Sequence, residues 1–374
     1  MISLFGSYVK DEELAQIKSC FDKQWIGIGP KVSEFEEKLK EKTHSKDVIF
    51  VNSGSNALQL AIHLLELPKG SEVILPSFTW IACANAILLN QLRPIFCDVD
   101  LNSGNMRASD IESKITLQTS AIMVVHYAGK PVDMDAIKKF KLPIIEDAAH
   151  SIDSYYKGKH CGAIGDVGIF SFDAVKNITT GEGGAVLVND NYKAQLARKL
   201  RYCGISKSGF EASASKNRWW EYEISGQFPK MINTDLAAGI GLAQLSKLDL
   251  FQKRRKQLWE HYTSIFKEQW ASTWIEPFDS SNKDEQHSYF TYCIKLHKGS
   301  RDQLAKFLYE LGIYTSLRFH PLHLNSFYGQ THVDLPNCQW LNENALNIPL
   351  HHRLTDQEIE YIIKSLQQYR RKYL

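Results

Sequence analysis

Between residues 48 and 190, short continuous apolar runs alternate with stretches whose apolar residues recur every three or four positions. Val48-Ile49-Phe50-Val51, Val73-Ile74-Leu75, Ile95-Phe96, residues 121–125 and Pro143-Ile144-Ile145 have strand length without polar alternation, and Leu58, Ile62 and Leu65 share one helical face between the first two runs. Strands apolar on both sides are strands covered on both sides, so the pattern predicts an α/β fold with a mostly parallel sheet between helices. Further on, residues 185–190 read as a strand and turn and residues 192–202 as a helix. Residues 204–227 read as a long loop, either a surface hairpin whose aromatics pack on the body or a flap over bound substrate. An Ala- and Gly-rich helix over 234–245 leads into a charged amphipathic segment through Tyr262. A strand at 290–296 and helices at 301–311 and 355–369 complete a smaller α+β domain.

With 374 residues the chain exceeds the size at which one core usually stops growing, and its 44% hydrophobic content can fill two. The expected division is a large domain over 1–248 and a small one over 249–374. A net charge of +2 gives no electrostatic case for nucleic acid or an acidic membrane, and the run Lys253-Arg254-Arg255-Lys256 reads as a solvated helix face. No apolar stretch approaches the roughly 20 residues of a spanning helix, and the N-terminus carries Asp11, Glu12 and Glu13 where a secretory signal would be apolar. Seven cysteines stand apart with no CxxC spacing, which predicts reduced thiols, no zinc or other metal site, and a cytoplasmic home.

Candidate chemistry begins with Lys176, five residues after Ser171 in Ser171-Phe172-Asp173-Ala174-Val175-Lys176, and with Asp147 at the end of the run Ile144-Ile145-Glu146-Asp147. Pyridoxal phosphate (PLP) requires such a pair: an amine to hold its aldehyde and a buried carboxylate to keep its ring nitrogen protonated. Either residue alone is as well explained as a loop lysine or a helix cap. Ser53-Gly54-Ser55 falls between a strand and a helix start, where free backbone N–H groups favour a phosphate. Trp80, after the next strand, either fills the core or offers a flat face to a heterocycle.

Taken in order, these segments resemble the fold-type-I PLP enzymes, and specifically the nucleotide-sugar aminotransferases of the DegT/StrS family. The resemblance spans the chain: Trp25-Ile26-Gly27-Ile28-Gly29-Pro30, Asn52-Ser53-Gly54-Ser55-Asn56-Ala57, Pro76-Ser77-Phe78-Thr79-Trp80, Glu146-Asp147-Ala148-Ala149-His150, the Lys176 segment, Thr234-Asp235 and Pro349-Leu350-His351. It implies that Gly54, Ser55 and Ser171 bind the phosphate, Trp80 stacks on the ring, Asp147 pairs with the ring nitrogen and His150 lies near the ring hydroxyl. It also implies a homodimer in which Lys230, supplied by the partner chain, completes the phosphate site. Relatives that remove a sugar hydroxyl carry histidine in place of the lysine, so Lys176 points to transamination.

The same resemblance implies L-glutamate as amino donor and a nucleotide-linked 4-keto-6-deoxy sugar as acceptor. Thr179-Thr180-Gly181-Glu182-Gly183-Gly184 is similar to members that aminate carbon 4, and the product would be a 4-amino sugar for surface polysaccharide (lipopolysaccharide, O-antigen) or glycan synthesis. Arg318, His320 and His323 are the candidate contacts to the pyrophosphate or sugar. A keto-cyclitol or 3-keto sugar aminotransferase, or a sensor that binds PLP or a sugar nucleotide without catalysis, are the rival readings. A dinucleotide-binding oxidoreductase is disfavoured because the first strand-to-helix turn lacks a triple-glycine fingerprint.

Overall fold

In the computed structural model, which describes residues 1–205, 220–270, 273–278 and 283–374, a seven-stranded sheet forms the centre of the molecule. Its strands are β1 (Asp47–Val51), β2 (Glu72–Pro76), β3 (Arg93–Cys97), β4 (Thr119–Val125), β5 (Ile144–Asp147), β8 (Val167–Ser171) and β9 (Gly184–Val188). Two short strands, β6 (Tyr155–Tyr156) and β7 (Lys159–His160), stand between β5 and β8 in the chain. The spatial order is β1-β9-β8-β5-β4-β2-β3; β9 runs antiparallel to both its neighbours and the other strands share one direction. The predicted mostly parallel α/β sheet is therefore what the chain forms. Val48 to Val51, Val73 to Leu75 and Ala121 to Val124 are fully or almost fully buried, which is why these strands carry no polar alternation.

One central strand, β8, is absent from the sequence reading. Gly168 interrupts its apolar run, and glycine weakens a strand signal. The residue is needed there for close approach: a Cβ at Gly168 would lie 2.0 Å from the carbonyl oxygen of Gly162.

A second, three-stranded antiparallel sheet joins β10 (Ile275–Pro277), β12 (Tyr292–Leu296) and β13 (Ala345–Ile348). With the helices Leu248–Gln269, Arg301–Glu310 and Asp356–Tyr373 it encloses a core that includes Tyr262, Phe266, Trp274, Ile294, Leu308, Ile362 and Tyr369. The last helix opens on a capping box, Thr355 with Glu358, which fixes its start one residue beyond the predicted one. The short strand β11 (Glu285–Gln286) reaches back to pair with β6. No helix among the described residues is long and apolar enough to cross a membrane. Of the loop predicted over 204–227, residues 206–219, with Lys207, Ser208, Ser213, Ser215, Lys216 and Trp219, lie outside the described residues.

Several motifs prove to be joints. The Asp235 carboxylate accepts the backbone N–H of Val32 at 3.0 Å, capping the helix Pro30–Thr43, whose own N-cap is a glycine with no side chain to offer. Leu350 and Arg353 hold the N-terminal segment through Leu4 and Ser7, and Ser7 Oγ in turn donates to the carbonyl of Ala174 beside Lys176.

The basic run 253–256 requires a correction. Lys253 and Lys256 are exposed, but Arg255 is buried, with Nη1 within 3.3 Å of the carbonyls of Tyr289, Phe290 and Leu350. A guanidinium turned inward on a helix costs desolvation, and here backbone carbonyls that have no strand partner offset it. Burial, and then Arg318, pull its pKa down to about 9. Arg255→Ala is expected to cost roughly 2–4 kcal/mol in thermal or urea unfolding, against less than about 0.5 kcal/mol for Lys253→Ala; equal effects would restore the solvated-face reading.

Candidate active site

The carboxyl edge of the central sheet gathers the predicted residues, as expected of an open α/β sheet. Gly54 begins the helix Gly54–His63 just after β1, Trp80 caps the helix Ile81–Leu89 after β2, Asp147 ends β5 and Ser171 ends β8. Lys176 lies in loop 172–183, which joins β8 to β9. That loop is shaped by its own hydrogen bonds: Val175 N–H to Asp173 Oδ1 at 2.9 Å, Lys176 N–H to the Asp173 carbonyl at 3.0 Å and Thr180 N–H to the Phe172 carbonyl at 3.0 Å. Asn177 pins it to the body, donating to Gln252 Oε1 at 2.9 Å and to the Ser288 carbonyl at 2.7 Å.

Side chains along a strand alternate in direction, which sends Glu146 and Asp147 to opposite sides of β5. Glu146 is spent on structure: it accepts backbone N–H groups of Gly162, Ile164 and Gly165 and meets His126 Nε2 at 2.9 Å. Asp147, also buried, accepts Ala149 N–H at 3.0 Å and the Cys83 thiol at 3.0 Å. Desolvation first and then the Arg318 guanidinium pull the Lys176 amine down to about 8, against an opposing pull from Asp147. Its Nζ stands 4.9 Å from the centre of the Phe290 ring. Burial, Lys176 and Arg318 together hold His150 well below its ordinary value, so its ring is neutral; it stacks on Phe290 at 4.0 Å.

Three features fit PLP. His150 Nδ1 is buried without a hydrogen-bond partner, as a group awaiting a ligand hydroxyl would be. The turn between β1 and the helix Gly54–His63 approaches Ser171 and β9 closely only because two glycines meet there: a Cβ on Gly54 would fall 2.7 Å from Ser171 Cβ, and one on Gly184 would fall 2.4 Å from the Ser53 carbonyl oxygen. Helix N–H groups and Ser171 Oγ thus share one cradle. The third feature is a buried Lys176 amine close enough to Asp147 for the carboxylate charge to act on it.

The remaining candidates are placed as follows. Ser55 is exposed on the first turn beside Gly54. Trp80 is 52% exposed, which excludes a core role, and its ring lies 5.4 Å from Phe319, itself 6.0 Å from His150. Arg318 sits between the rings of Phe5 and Phe290, 5.2 and 5.0 Å from their centres. His320 is exposed and bonds Asn342 at 2.9 Å; His323 is fully buried, with Nδ1 2.7 Å from Ser77 Oγ, where it ties its turn to the end of β2. Lys230 is exposed, its amine 5.4 Å from the Tyr202 ring centre. Phe290, Phe319, Asn177 and Cys83 were not found by sequence reasoning. Only Cys83 left a trace: it follows by four residues Thr79, which stands just before the N-cap Trp80 of the helix Ile81–Leu89.

The sequence profile of the DegT/DnrJ/EryC1/StrS aminotransferase family matches residues 7–367. The chain is 36% identical over 374 residues to the dTDP-4-dehydro-2,3,6-trideoxy-D-glucose 4-aminotransferase of Saccharopolyspora spinosa, covering 98% of this chain and 96% of that one. It superimposes on the aminotransferase TlmJ from Streptoalloteichus hindustanus with a TM-score of 0.91, 34% identity and 98% of each chain covered. The proposed sugar aminotransferase Spr1654 of Streptococcus pneumoniae, in its PMP form, gives a TM-score of 0.92 at 29% identity with both chains fully covered, and a PLP form of it is also known.

The electrostatics give a measurable consequence. A lysine at its ordinary value of 10.5 would bind PLP faster with every pH step up to 10, because only the neutral amine attacks an aldehyde. With Lys176 lowered to about 8, the rate of cofactor uptake by the apo-protein should rise through pH 8 and level off above 9. Arg318→Gln removes a cation that disfavours the protonated amine and should move that midpoint upward. Stopped-flow absorbance across pH checks both, and an unchanged midpoint in the variant would remove Arg318 from this role.

Proposed function

Because this chain belongs to the DegT/DnrJ/EryC1/StrS aminotransferase family and is a PLP-dependent aminotransferase, we propose that it moves the amino group of L-glutamate to carbon 4 of a nucleotide-linked 4-keto-6-deoxy sugar. The observation that carries this reading is Lys176: an amine whose proton is disfavoured by burial and Arg318 and favoured by the charge of Asp147, near a neutral His150. Such an amine can hold an aldehyde and can also serve as a base near neutral pH. Carbon 4 is supported by the Thr179 to Gly184 segment and by the relative that acts as a 4-aminotransferase.

Bound PLP would supply an electron sink that stabilises negative charge on the carbon bearing the amine. Gly54, Ser55 and Ser171 hold its phosphate, Trp80 its ring face, Asp147 its nitrogen and His150 its hydroxyl. Lys176 Nζ takes the proton from the α-carbon of the donor and, in the second half of the cycle, returns one to the sugar carbon that receives nitrogen. Arg318 is a cation held between two aromatic rings close to that amine, suited to an anionic group of the donor or the sugar nucleotide. His320 and His323 complete our substrate assignments, His320 by contact from the rim and His323 by fixing the turn that carries Arg318. The working unit is a homodimer, in which the partner subunit's Lys230 reaches the phosphate.

Lys176→Ala should lower transamination by at least about 10³-fold, since anchor and base vanish together. Borohydride reduction of the native protein should leave its phosphopyridoxyl mark on the peptide containing Lys176, and a mark elsewhere would refute the assignment. Mass spectrometry of reactions with glutamate and a panel of nucleotide-linked 4-keto sugars, 3-keto sugars and free keto-cyclitols should show nitrogen gained by the 4-keto sugars. Arg318→Ala should raise KM for the anion it binds by roughly tenfold while leaving KM for the other substrate near its original value.

A further inference from the structure

Two hydrogen bonds hold the Asp147 carboxylate. Oδ1 accepts the Ala149 N–H at 3.0 Å, and Oδ2 accepts the thiol of Cys83, also at 3.0 Å. Cys83 is fully buried in the first turn of the helix Ile81–Leu89, and Thr79 Oγ1 stands 3.4 Å from its sulfur. The geometry fixes the direction of this chain of contacts. An ionised carboxylate only accepts and a thiol has one proton, so that proton belongs to Asp147 and the Thr79 hydroxyl must donate to the sulfur. Burial and the charge of Asp147 push the thiol well above its ordinary range, so it stays protonated and cannot serve as a nucleophile.

We propose that Cys83 is a positioning residue for this enzyme, orienting the Asp147 carboxylate toward the cofactor's ring nitrogen through the relay Thr79 Oγ1 to Cys83 Sγ to Asp147 Oδ2. The proposal rests on the reading of Asp147 as the partner of that nitrogen. A thiol is a weak donor, so it sets the plane of the carboxylate while leaving most of its charge for the ring. Trp80 stands between Thr79 and the helix that bears Cys83. One short segment therefore fixes both the aromatic on the ring face and the acid at the ring edge, and a shift of this segment would move the two together.

The test uses the holo-protein and its cofactor-free form as Cys83→Ala, Cys83→Ser, Asp147→Asn and, as a buried-thiol control, Cys97→Ala. The readouts are the PLP dissociation constant, the pH dependence of the visible absorbance of bound PLP, and melting temperature. Cys83→Ala should weaken PLP binding about tenfold, as expected for one hydrogen bond to a charged group, and displace the absorbance titration. Cys83→Ser, which restores a donor, should return both to within about twofold of the original, and Cys97→Ala should leave both unchanged. If Cys83→Ala does not fold, Cys83→Val fills the volume without a donor and takes its place. Cys83→Ala matching Cys97→Ala, or Cys83→Ser failing like Cys83→Ala, overturns the relay while an impaired Asp147→Asn leaves the site reading intact. Normal binding and absorbance in Asp147→Asn would overturn the site reading itself.

Discussion

The amine of Lys176 is partly withdrawn from water, where a guanidinium disfavours its proton and a carboxylate favours it. Both neighbours come from distant parts of the chain, and each is fixed by something other than the amine. Asp147 is set by the end of β5 and by its two donors; Arg318 is set by two aromatic rings and by its backbone N–H on Asn347 at 2.7 Å. The amine itself hangs from the one loop that joins a reversed strand to the parallel sheet. Moving any of these three supports by an ångström or two would alter the charge balance at that amine, and with it the proposed anchoring and proton transfer.

The N-terminal segment and the smaller sheet support this balance from outside the site. The segment 2–8 pairs with Gly312 and Tyr314 and with Leu350, and passes Ser7 to the carbonyl of Ala174 and Phe5 to Arg318. Arg255 gathers the carbonyls of Tyr289, Phe290 and Leu350, so the wall that carries Phe290 and the turn that holds the N-terminus share one buried cation. The smaller sheet thereby acts as a frame for the active-site wall. Its aromatic cluster, with Tyr262, Phe266 and Trp274 almost fully buried, gives that frame its rigidity.

Strong periodic signals survived intact from sequence to structure. The apolar runs at 48–51, 73–75 and 121–125 form strands of the seven-stranded sheet, and Thr234 and Thr355 cap the helices they are read to begin. Failures came where a local rule was overridden by packing. Gly168 hid β8, because the need to pass the Gly162 backbone outweighs strand propensity, and Arg255 sits inside a charged run because three unpaired carbonyls happen to face it. Neither circumstance is local in sequence.

What the chain by itself determined is the set of groups it brings together: a lysine, an aspartate, a Ser-Gly-Ser turn at a helix start and a flat aromatic, in an order that alternating strands and helices carry to one sheet edge. Which groups tune that chemistry was decided by the fold. Arg318 lies 142 positions after Lys176, and Cys83 lies 64 before Asp147. Proton affinity and hydrogen-bond geometry depend on distances of a few ångströms and on loss of water, and neither quantity exists until the chain has closed around them.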